Sequence, residues 1–157
     1  MERLREANIR CVPITVRPAG WCDHIARMWP VAGLVGENGA FYFCYDERER
    51  RMRRRYFKSG NQRETDQRKL EKLKIDILKK IPDARVSADQ PYRETDLAID
   101  YCEDIPPLPG EAVDQIVGLF KKAGAEAKVR QTFLDIFAAA RDKQGKVALA
   151  KKLFDTA

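Results

Sequence analysis

The sequence is poor in the residues and patterns that mark metal-binding, secreted and membrane proteins. Its four cysteines include no Cys-x-x-Cys pair, and its one histidine, His24, cannot complete the common zinc sets alone, so we do not expect structural zinc. No apolar run approaches the roughly 20 residues that cross a bilayer. The charged start, residues 1–6, lacks the apolar stretch of a secretory signal. We therefore expect a cytoplasmic protein that does not span a membrane and whose cysteines are small buried thiols.

The composition is that of a globular protein with a local excess of positive charge. The chain has 157 residues, 44% of them hydrophobic and 34% charged, with a net charge of +6. This length suffices for one ordinary domain or two small ones with a genuine core. Between residues 47 and 80, 14 lysines and arginines face 6 acidic residues. The basic excess is therefore local.

The first 45 residues alternate between helical and strand-like patterns. Residues 1–8 end a helix, and residues 9–16 (IRCVPITV) are typical of an apolar strand in which Pro13 indicates an edge or an irregularity. Three further elements follow: a short amphipathic helix at 21–29, a strand at 33–35 and an aromatic strand at 40–45. Alternation of this kind is typical of half of a doubly wound parallel sheet and predicts an α/β fold.

The rest of the chain is predicted to form an α+β insert, followed by a segment that rejoins the first α/β layer. A 62–81 helix is the firmest element, because Leu70, Leu73, Ile77 and Ile81 recur at helical spacing before Pro82. The other predicted elements are, in order, a basic strand within 48–58, strands at 84–88 and 97–102, the second of them half-buried, a helix from 109 or 110 that ends before Gly124, a strand at 125–130, and helices at 132–140 and 146–154. Residues 46–130 are thus predicted to be an α+β insert between two pieces of an α/β layer.

Two short segments carry a resemblance to a known family. Residues 13–18 (PITVRP), followed after a helix and a strand by residues 36–40 (GENGA), resemble the sugar-phosphatase branch of the haloacid dehalogenase superfamily. That branch has an apolar strand ending in Thr-Gly-Arg, then a helix, a strand and Glu-Asn-Gly-Ala. The segments 17–29 and 87–104 also look like a bacterial subgroup of it. The resemblance covers residues 1–130.

The resemblance implies a fold and a division of the chain. Residues 1–45 would form part of a Rossmannoid core of the haloacid-dehalogenase type. Residues 46–130 would form an α+β cap, inserted after the third core strand. Residues 131–157 would be a helical return to the core.

The resemblance also implies phosphate monoester hydrolysis on a sugar-phosphate-like substrate. Family members form an aspartyl-phosphate, a second aspartate protonates the leaving group, and magnesium screens the charge. Thr15 matches the family threonine, whose hydroxyl and adjacent N–H bind a phosphoryl oxygen. Arg17 would add a contact to an anionic substrate. Lys143, or alternatively Lys146, would be the lysine that steadies the nucleophile.

The second segment supplies the remaining candidate substrate contacts. Glu37, Asn38 and Gly39 would lie beside the cap entrance, where their turn places polar groups near the substrate. These three residues and Arg17 are the predicted substrate-binding set.

The sequence departs from the family where catalysis is concerned. The strand bearing both aspartates would precede residue 1, the magnesium-binding turn would follow Ala157, and Val16 replaces a glycine beside the phosphate. We expect the chain alone to lack phosphatase activity and to bind no magnesium tightly. We also expect exposed core strands, which a homo-oligomer could cover.

Two other functions compete with an incomplete phosphatase. The first is a noncatalytic binding or assembly module derived from the cap. The second is nucleic-acid binding through residues 50–55 (RRMRRR) with Tyr56 and Phe57, against which we favour a solvated strand. We interpret His24 as an ordinary helix residue. The carboxylates of Asp96, Asp100, Glu103 and Asp104 are interpreted as solvent-facing, with no metal.

Overall fold

The computed structural model describes residues 1–129 and the backbone of residues 135–138. These residues fall into two compact units that divide between Ser59 and Gly60. The elements of the first are α1 Glu2–Glu6, α2 Ala19–Met28, β1 Leu34–Gly36, β2 Phe41–Asp46 and β3 Arg51–Tyr56, with a single 3-10 turn at Glu37–Gly39. Those of the second are α3 Gly60–Lys80, β4 Arg85–Val86, a 3-10 turn at Gln90–Tyr92, β5 Ala98–Asp100, α4 Gly110–Lys122, β6 Ala127–Lys128 and β7 Asp135–Ala138. The predicted α/β class is confirmed.

The sheet of the first unit is antiparallel, so the parallel arrangement predicted for residues 1–45 is wrong for β1 and β2. Its order is β1-β2-β3, and β2 pairs with β3 from Phe41 opposite Tyr56 to Asp46 opposite Arg51. The reason is the length of the connections: a few residues join each pair, and only antiparallel strands can be joined so tightly. Within the described residues, the one parallel pairing is a bridge between Ile14 and Val35.

Residues 9–16 form that single bridge and not the predicted strand. The carbonyl of Pro13 accepts the N–H of Val35 at 2.9 Å, and the N–H of Thr15 donates to the Val35 carbonyl at 2.9 Å. Proline has no N–H to extend a ladder, which the sequence indicated as an irregularity. The segment therefore runs beside β1 with few ladder bonds and leads directly into Thr15.

Helix α2 packs on one face of this sheet through its small residues. Ala19, Cys22 and Ala26 are buried in one cluster with Leu34, Phe41 and Phe43, whose two rings stack at 4.3 Å. The approach is so close at Gly36 that an added Cβ would lie 2.4 Å from the Phe41 ring and 2.6 Å from the Cys22 sulfur. Gly36 therefore fixes the distance between helix and sheet just before the Glu37–Gly39 turn.

The basic strand belongs to the first unit. Strand β3 pairs with β2 over six residues, and Met52 and Tyr56 pack against the same core as α2. The predicted boundary after residue 45 therefore falls inside this unit, whose described part ends at Ser59. Backbone pairing outweighs the change in composition at Asp46, because a ladder partner fixes where a strand lies whatever its charge.

The second unit places two helices on an antiparallel sheet of order β4-β5-β7-β6. Leu73 and Ile77 from α3, Ile116 and Phe120 from α4, and Ile99 from β5 form its buried cluster. The helices predicted at 62–81 and from 109 or 110 are confirmed, and their apolar residues, which recur every three or four positions, lie on one face. Gly124 has φ +72° just beyond α4, as the predicted C′ position requires.

Strand β5 is buried on both faces, so the predicted alternation is wrong. Ala98, Ile99 and Asp100 are all buried: Ile99 packs in the cluster with α3 and α4, whereas Ala98 and Asp100 point to the other face, where the turn at 102–104 covers Asp100. The Asp100 carboxylate accepts the backbone N–H groups of Cys102, Glu103 and Asp104 at 2.7–2.9 Å. These bonds satisfy a carboxylate that is 1% exposed.

Asp96 also differs from the prediction of a solvated carboxylate. It pairs at 3.2 Å with Arg93, which also binds Asp89 at 2.8 Å, and the side chains of Arg93 and Asp96 are each 1% exposed. The pKa of Arg93 is raised: burial opposes the charge, but the neighbouring Asp96 and Asp89 carboxylates stabilise it more strongly. This buried network closes the connection into β5.

The helix predicted at 132–140 is wrong in its centre. Residues 135–138 form β7, which lies between β5 and β6 in the sheet. Ile136 and Phe137 favour strands, and insertion there supplies ladder partners to two neighbours that would otherwise lack them. The helix predicted at 146–154 lies outside the described residues. In the part of the chain that the structure describes, no helix has the length and apolar character needed to cross a bilayer.

Candidate functional site

The two segments singled out in the sequence meet at the N-terminus of α2. The N–H of Asn38 donates to the Thr15 carbonyl at 3.3 Å, and the N–H of Glu37 donates to the Arg17 carbonyl at 3.3 Å. The Glu37 carboxylate accepts the N–H of Ala19, the first residue of α2, at 2.9 Å. Two hydrogen bonds therefore hold the Thr15–Arg17 loop against the Glu37–Gly39 turn, and a third joins the turn to the start of α2. Of the six predicted site residues, five are thus brought together.

Among the described residues, no group accepts the hydroxyl proton of Thr15. Its Oγ1 accepts the backbone N–H of Arg17 at 3.1 Å, which shapes the loop into a tight turn. A hydroxyl carries one donor and two acceptor positions, so accepting this bond leaves the O–H available to donate. Thr15 is partly exposed. The group can therefore serve an anionic oxygen at the mouth of the loop.

Arg17 supplies positive charge beside that hydroxyl. The residue is exposed, and its guanidinium lies 5.8 Å from the centre of the Trp21 ring in the first turn of α2. A cation over an aromatic face is held without losing its hydrogen-bond donors. The guanidinium fork suits a phosphate or carboxylate ligand.

Glu37 has a structural part that sequence reasoning missed. Glu37 is 1% exposed, and one oxygen of its carboxylate accepts the N–H of Ala19. A carboxylate at a helix N-terminus is stabilised by the partial positive charge there. Because the two residues are 18 positions apart, no local capping pattern reveals the contact. Glu37 therefore positions the loop, and it also neutralises part of the positive helix end.

The Glu37–Gly39 turn is conformationally costly. Its three residues have φ values of +41°, +59° and +97°, a left-handed run. Glycine adopts this region freely and asparagine tolerates it, but glutamate does so at a cost of about 1–2 kcal/mol. The bonds from Glu37 to Arg17 and Ala19 hold it there. Strain of this kind concentrates at functional sites.

Asn38 holds an unsatisfied amide at the centre of the site. The residue is 1% exposed, and neither its Nδ2 nor its Oδ1 has a hydrogen-bond partner among the described residues. A buried polar group without a partner costs about 1–3 kcal/mol. Such a cost calls for an explanation in a native fold.

The described residues do not fit a magnesium site. No group of three acidic, histidine or cysteine side chains converges within them. The acidic group in the loop, Glu37, already caps α2 through one oxygen. Lys143 and its alternative Lys146 lie outside the described residues, so the predicted lysine stays a prediction. His24, by contrast, is an exposed residue of α2.

Comparison with known proteins finds similar structures but no matching sequence family. No protein-family model matches the sequence, and no curated protein is similar to it. Among solved structures, the chain is similar to Thermoplasma acidophilum 0175, with a TM-score of 0.66 and 16% identity over 98% of this chain and 61% of that one.

Two further structures are similar at lower identity. The Candida albicans trehalose synthase regulatory protein C-terminal domain gives a TM-score of 0.60 and 14% identity over 93% of this chain and 48% of that one. Plasmodium falciparum IMP-nucleotidase gives a TM-score of 0.58 and 11% identity over 95% of this chain and 48% of that one. The chain thus spans about half to three-fifths of the length of these structures. Likeness at such low identity shows a shared architecture and nothing further about this chain.

Proposed function

We propose that the chain forms the phosphoryl-binding part of a haloacid-dehalogenase-like phosphate monoester hydrolase, with a small sugar-phosphate-like substrate. The observation that carries the proposal is the Thr15–Arg17 loop, locked at the N-terminus of α2 by the Glu37–Gly39 turn. The fold shared with a structure named an IMP-nucleotidase supports a phosphate ester as the ligand.

Each residue of the site then has a distinct part. Thr15 donates its hydroxyl proton to a nonbridging phosphoryl oxygen, and Arg17 binds a second oxygen through its guanidinium fork. Glu37 positions the loop through Ala19, and Gly39 provides a turn that a side chain would strain. Asn38 is a proposed substrate contact as well, and this role requires its buried, unpartnered amide to become accessible when a ligand binds. Donors fixed in advance in this way bind an anion without reorganising.

The described residues supply groups that bind phosphate but no complete set of groups for catalysis. In the superfamily magnesium screens the phosphoryl charge, but the described residues hold no ligand set for it and no carboxylate free to attack beside Thr15. We infer that this chain by itself binds phosphate esters and does not hydrolyse them. We assign the first unit to the core and the second, an α+β unit, to the cap. All four cysteines are free thiols, which supports a cytoplasmic location.

Binding of inorganic phosphate tests the proposal directly. Isothermal titration of the purified chain should detect phosphate binding that Thr15→Ala and Arg17→Ala each weaken about tenfold, as expected for the loss of a hydrogen bond to a charged group. Thr65→Ala and Arg68→Ala serve as matched controls, since both residues are exposed on α3. Equal losses in the controls, or no phosphate binding at all, would contradict the proposed site.

A second candidate function is a noncatalytic binding module. The lack of a free carboxylate near Thr15 in the described residues favours it. Turnover of p-nitrophenyl phosphate with added magnesium separates the two. Hydrolysis that Thr15→Ala abolishes would establish an active enzyme and overturn our inference that the chain alone is inactive.

A further inference from the structure

We propose that strand β3 and its hairpin form a binding surface for single-stranded nucleic acid. The segment 46–58 carries seven arginines and lysines against three acidic residues. Strand β3 lies at one edge of its sheet, and four of its six residues are exposed. The phosphoryl-binding proposal uses none of these residues, so the two proposals stand or fall separately.

The arginines of this segment divide into two structural groups. The first group is neutralised: Arg54 pairs with Asp23 at 3.1 Å and covers the Phe43 ring at 4.9 Å, while Arg53 pairs with Asp46 at 2.7 Å. The second group is exposed, and its side chains form no ion pair with any described residue; it consists of Arg48, Arg50, Arg51 and Arg55. Internal ion pairs therefore account for two arginines and leave four.

The pairing of the strands puts two of the unpaired arginines, Arg51 and Arg55, in one row with Arg53, and the other two, Arg48 and Arg50, lie in the hairpin turn before β3. Arg51, Arg53 and Arg55 share one face of β3, because alternate residues point the same way, and they are spaced about 6.8 Å apart. Their partners across the ladder on β2 are Asp46, Cys44 and Tyr42, none of them basic. A single row of cations suits one extended phosphate backbone. It does not suit a duplex, which presents two.

An aromatic side chain follows the row. Phe57 comes directly after β3 and leaves 46% of its surface exposed, while its backbone N–H is fixed to the Ala40 carbonyl at 2.9 Å. Base stacking on aromatic rings is the usual second component of single-strand binding. Cations in a row with an adjoining ring therefore favour a polynucleotide over an acidic protein.

Salt dependence gives the expected size of the effect. Each phosphate contact to a single strand contributes about −0.7 to the slope of log affinity against log salt. Four free arginines therefore predict about a 50-fold loss of affinity between 50 and 200 mM salt. Reversing two of them should cut this loss to about sevenfold.

The test is fluorescence anisotropy of the full chain with a labelled 20-residue oligothymidylate, titrated with salt. Arg51→Glu/Arg55→Glu should weaken binding and flatten the salt dependence as stated. The matched control is Lys72→Glu/Lys79→Glu, which changes the net charge equally on exposed positions of α3. Phe57→Ala should lower affinity about tenfold without altering the salt slope.

Three results would overturn the proposal. One is an equal loss of oligonucleotide affinity in the Lys72→Glu/Lys79→Glu control, which would mean that binding depends only on the net charge of the protein. Another is binding of a poly-aspartate peptide of equal charge as tightly as the oligonucleotide, which would assign the surface to an acidic protein. The third is no measurable binding at 50 mM salt. Tryptophan fluorescence of each variant checks that it is folded.

Discussion

Removing the Glu37 carboxylate should destabilise the first unit far more than an ordinary surface substitution. The carboxylate is buried and accepts the Ala19 N–H at the start of α2. A hydrogen bond to a charged group contributes about 1.5–3 kcal/mol, and a carboxylate at a helix N-terminus adds up to about 2 kcal/mol. Glu37→Ala should therefore lower the free energy of unfolding by about 3 kcal/mol. Glu37→Gln keeps an acceptor oxygen and loses the charge, so about 1 kcal/mol is expected.

Urea denaturation followed by tryptophan fluorescence measures this change. The chain has two tryptophans, Trp21 within α2 and Trp29 at its end, so the signal reports on the helix that Glu37 caps. Glu47→Gln is the control, because the ion pair of Glu47 within the described residues is an exposed one with Arg5 at 3.5 Å, and such pairs contribute little. A Glu37→Ala midpoint within error of the wild type, or equal effects of Gln and Ala, would refute the assigned cap.

Three further outcomes follow from the described contacts. Gly36→Ala should destabilise by about 1–3 kcal/mol in urea denaturation, because its Cβ would overlap the Phe41 ring, whereas Gly118→Ala, with open space around it, should be neutral or stabilising. Arg93→Met should cost about 3–5 kcal/mol, since it removes the buried cation that pairs with the buried Asp96 carboxylate, and a loss below about 1 kcal/mol would contradict that network. The hydrogen bond from Arg27, opposed by burial and reinforced by Arg54, holds the pKa of Asp23 below its ordinary 3.8. The stability that ionised Asp23 contributes to the fold is therefore fully present above pH 3.8 and is lost as the pH falls through the lower pKa of the folded state. Asp23→Asn should flatten the acid limb of the stability profile, and an unchanged limb would count against the pairing.

Helices were predictable because their signal is local. The spacing of Leu73 and Ile77, and of Ile116 and Phe120, places each pair on one face whatever surrounds the helix. Strand arrangement depends on partners distant in sequence, so the antiparallel order of β1 to β3 and the place of β7 were not readable from short windows. The basic strand was assigned to the wrong side of a boundary because composition changes at Asp46, while backbone pairing continues to Tyr56.

The site was predictable as a set of residues and not as a set of contacts. The family resemblance picked out Thr15, Arg17 and the Glu37–Gly39 turn, which the fold does bring together. It could not reveal that the Glu37 carboxylate caps a helix that begins 18 residues earlier in the chain. Nor could it reveal that the Asn38 amide is buried without a partner, because burial is a property of the assembled unit.

Because the Asn38 amide is buried without a partner among the described residues, the residue type at position 38 is expected to depend on whether a related chain binds a ligand at this turn. Glycine would accept the same backbone conformation, φ +59° and ψ +23°, without burying a polar group that lacks a partner. A lineage in which this turn no longer meets a ligand gains stability by drifting from asparagine to glycine at one codon. Related chains that keep asparagine are therefore the ones in which to look for a ligand at this turn, and those with glycine are expected to have lost it.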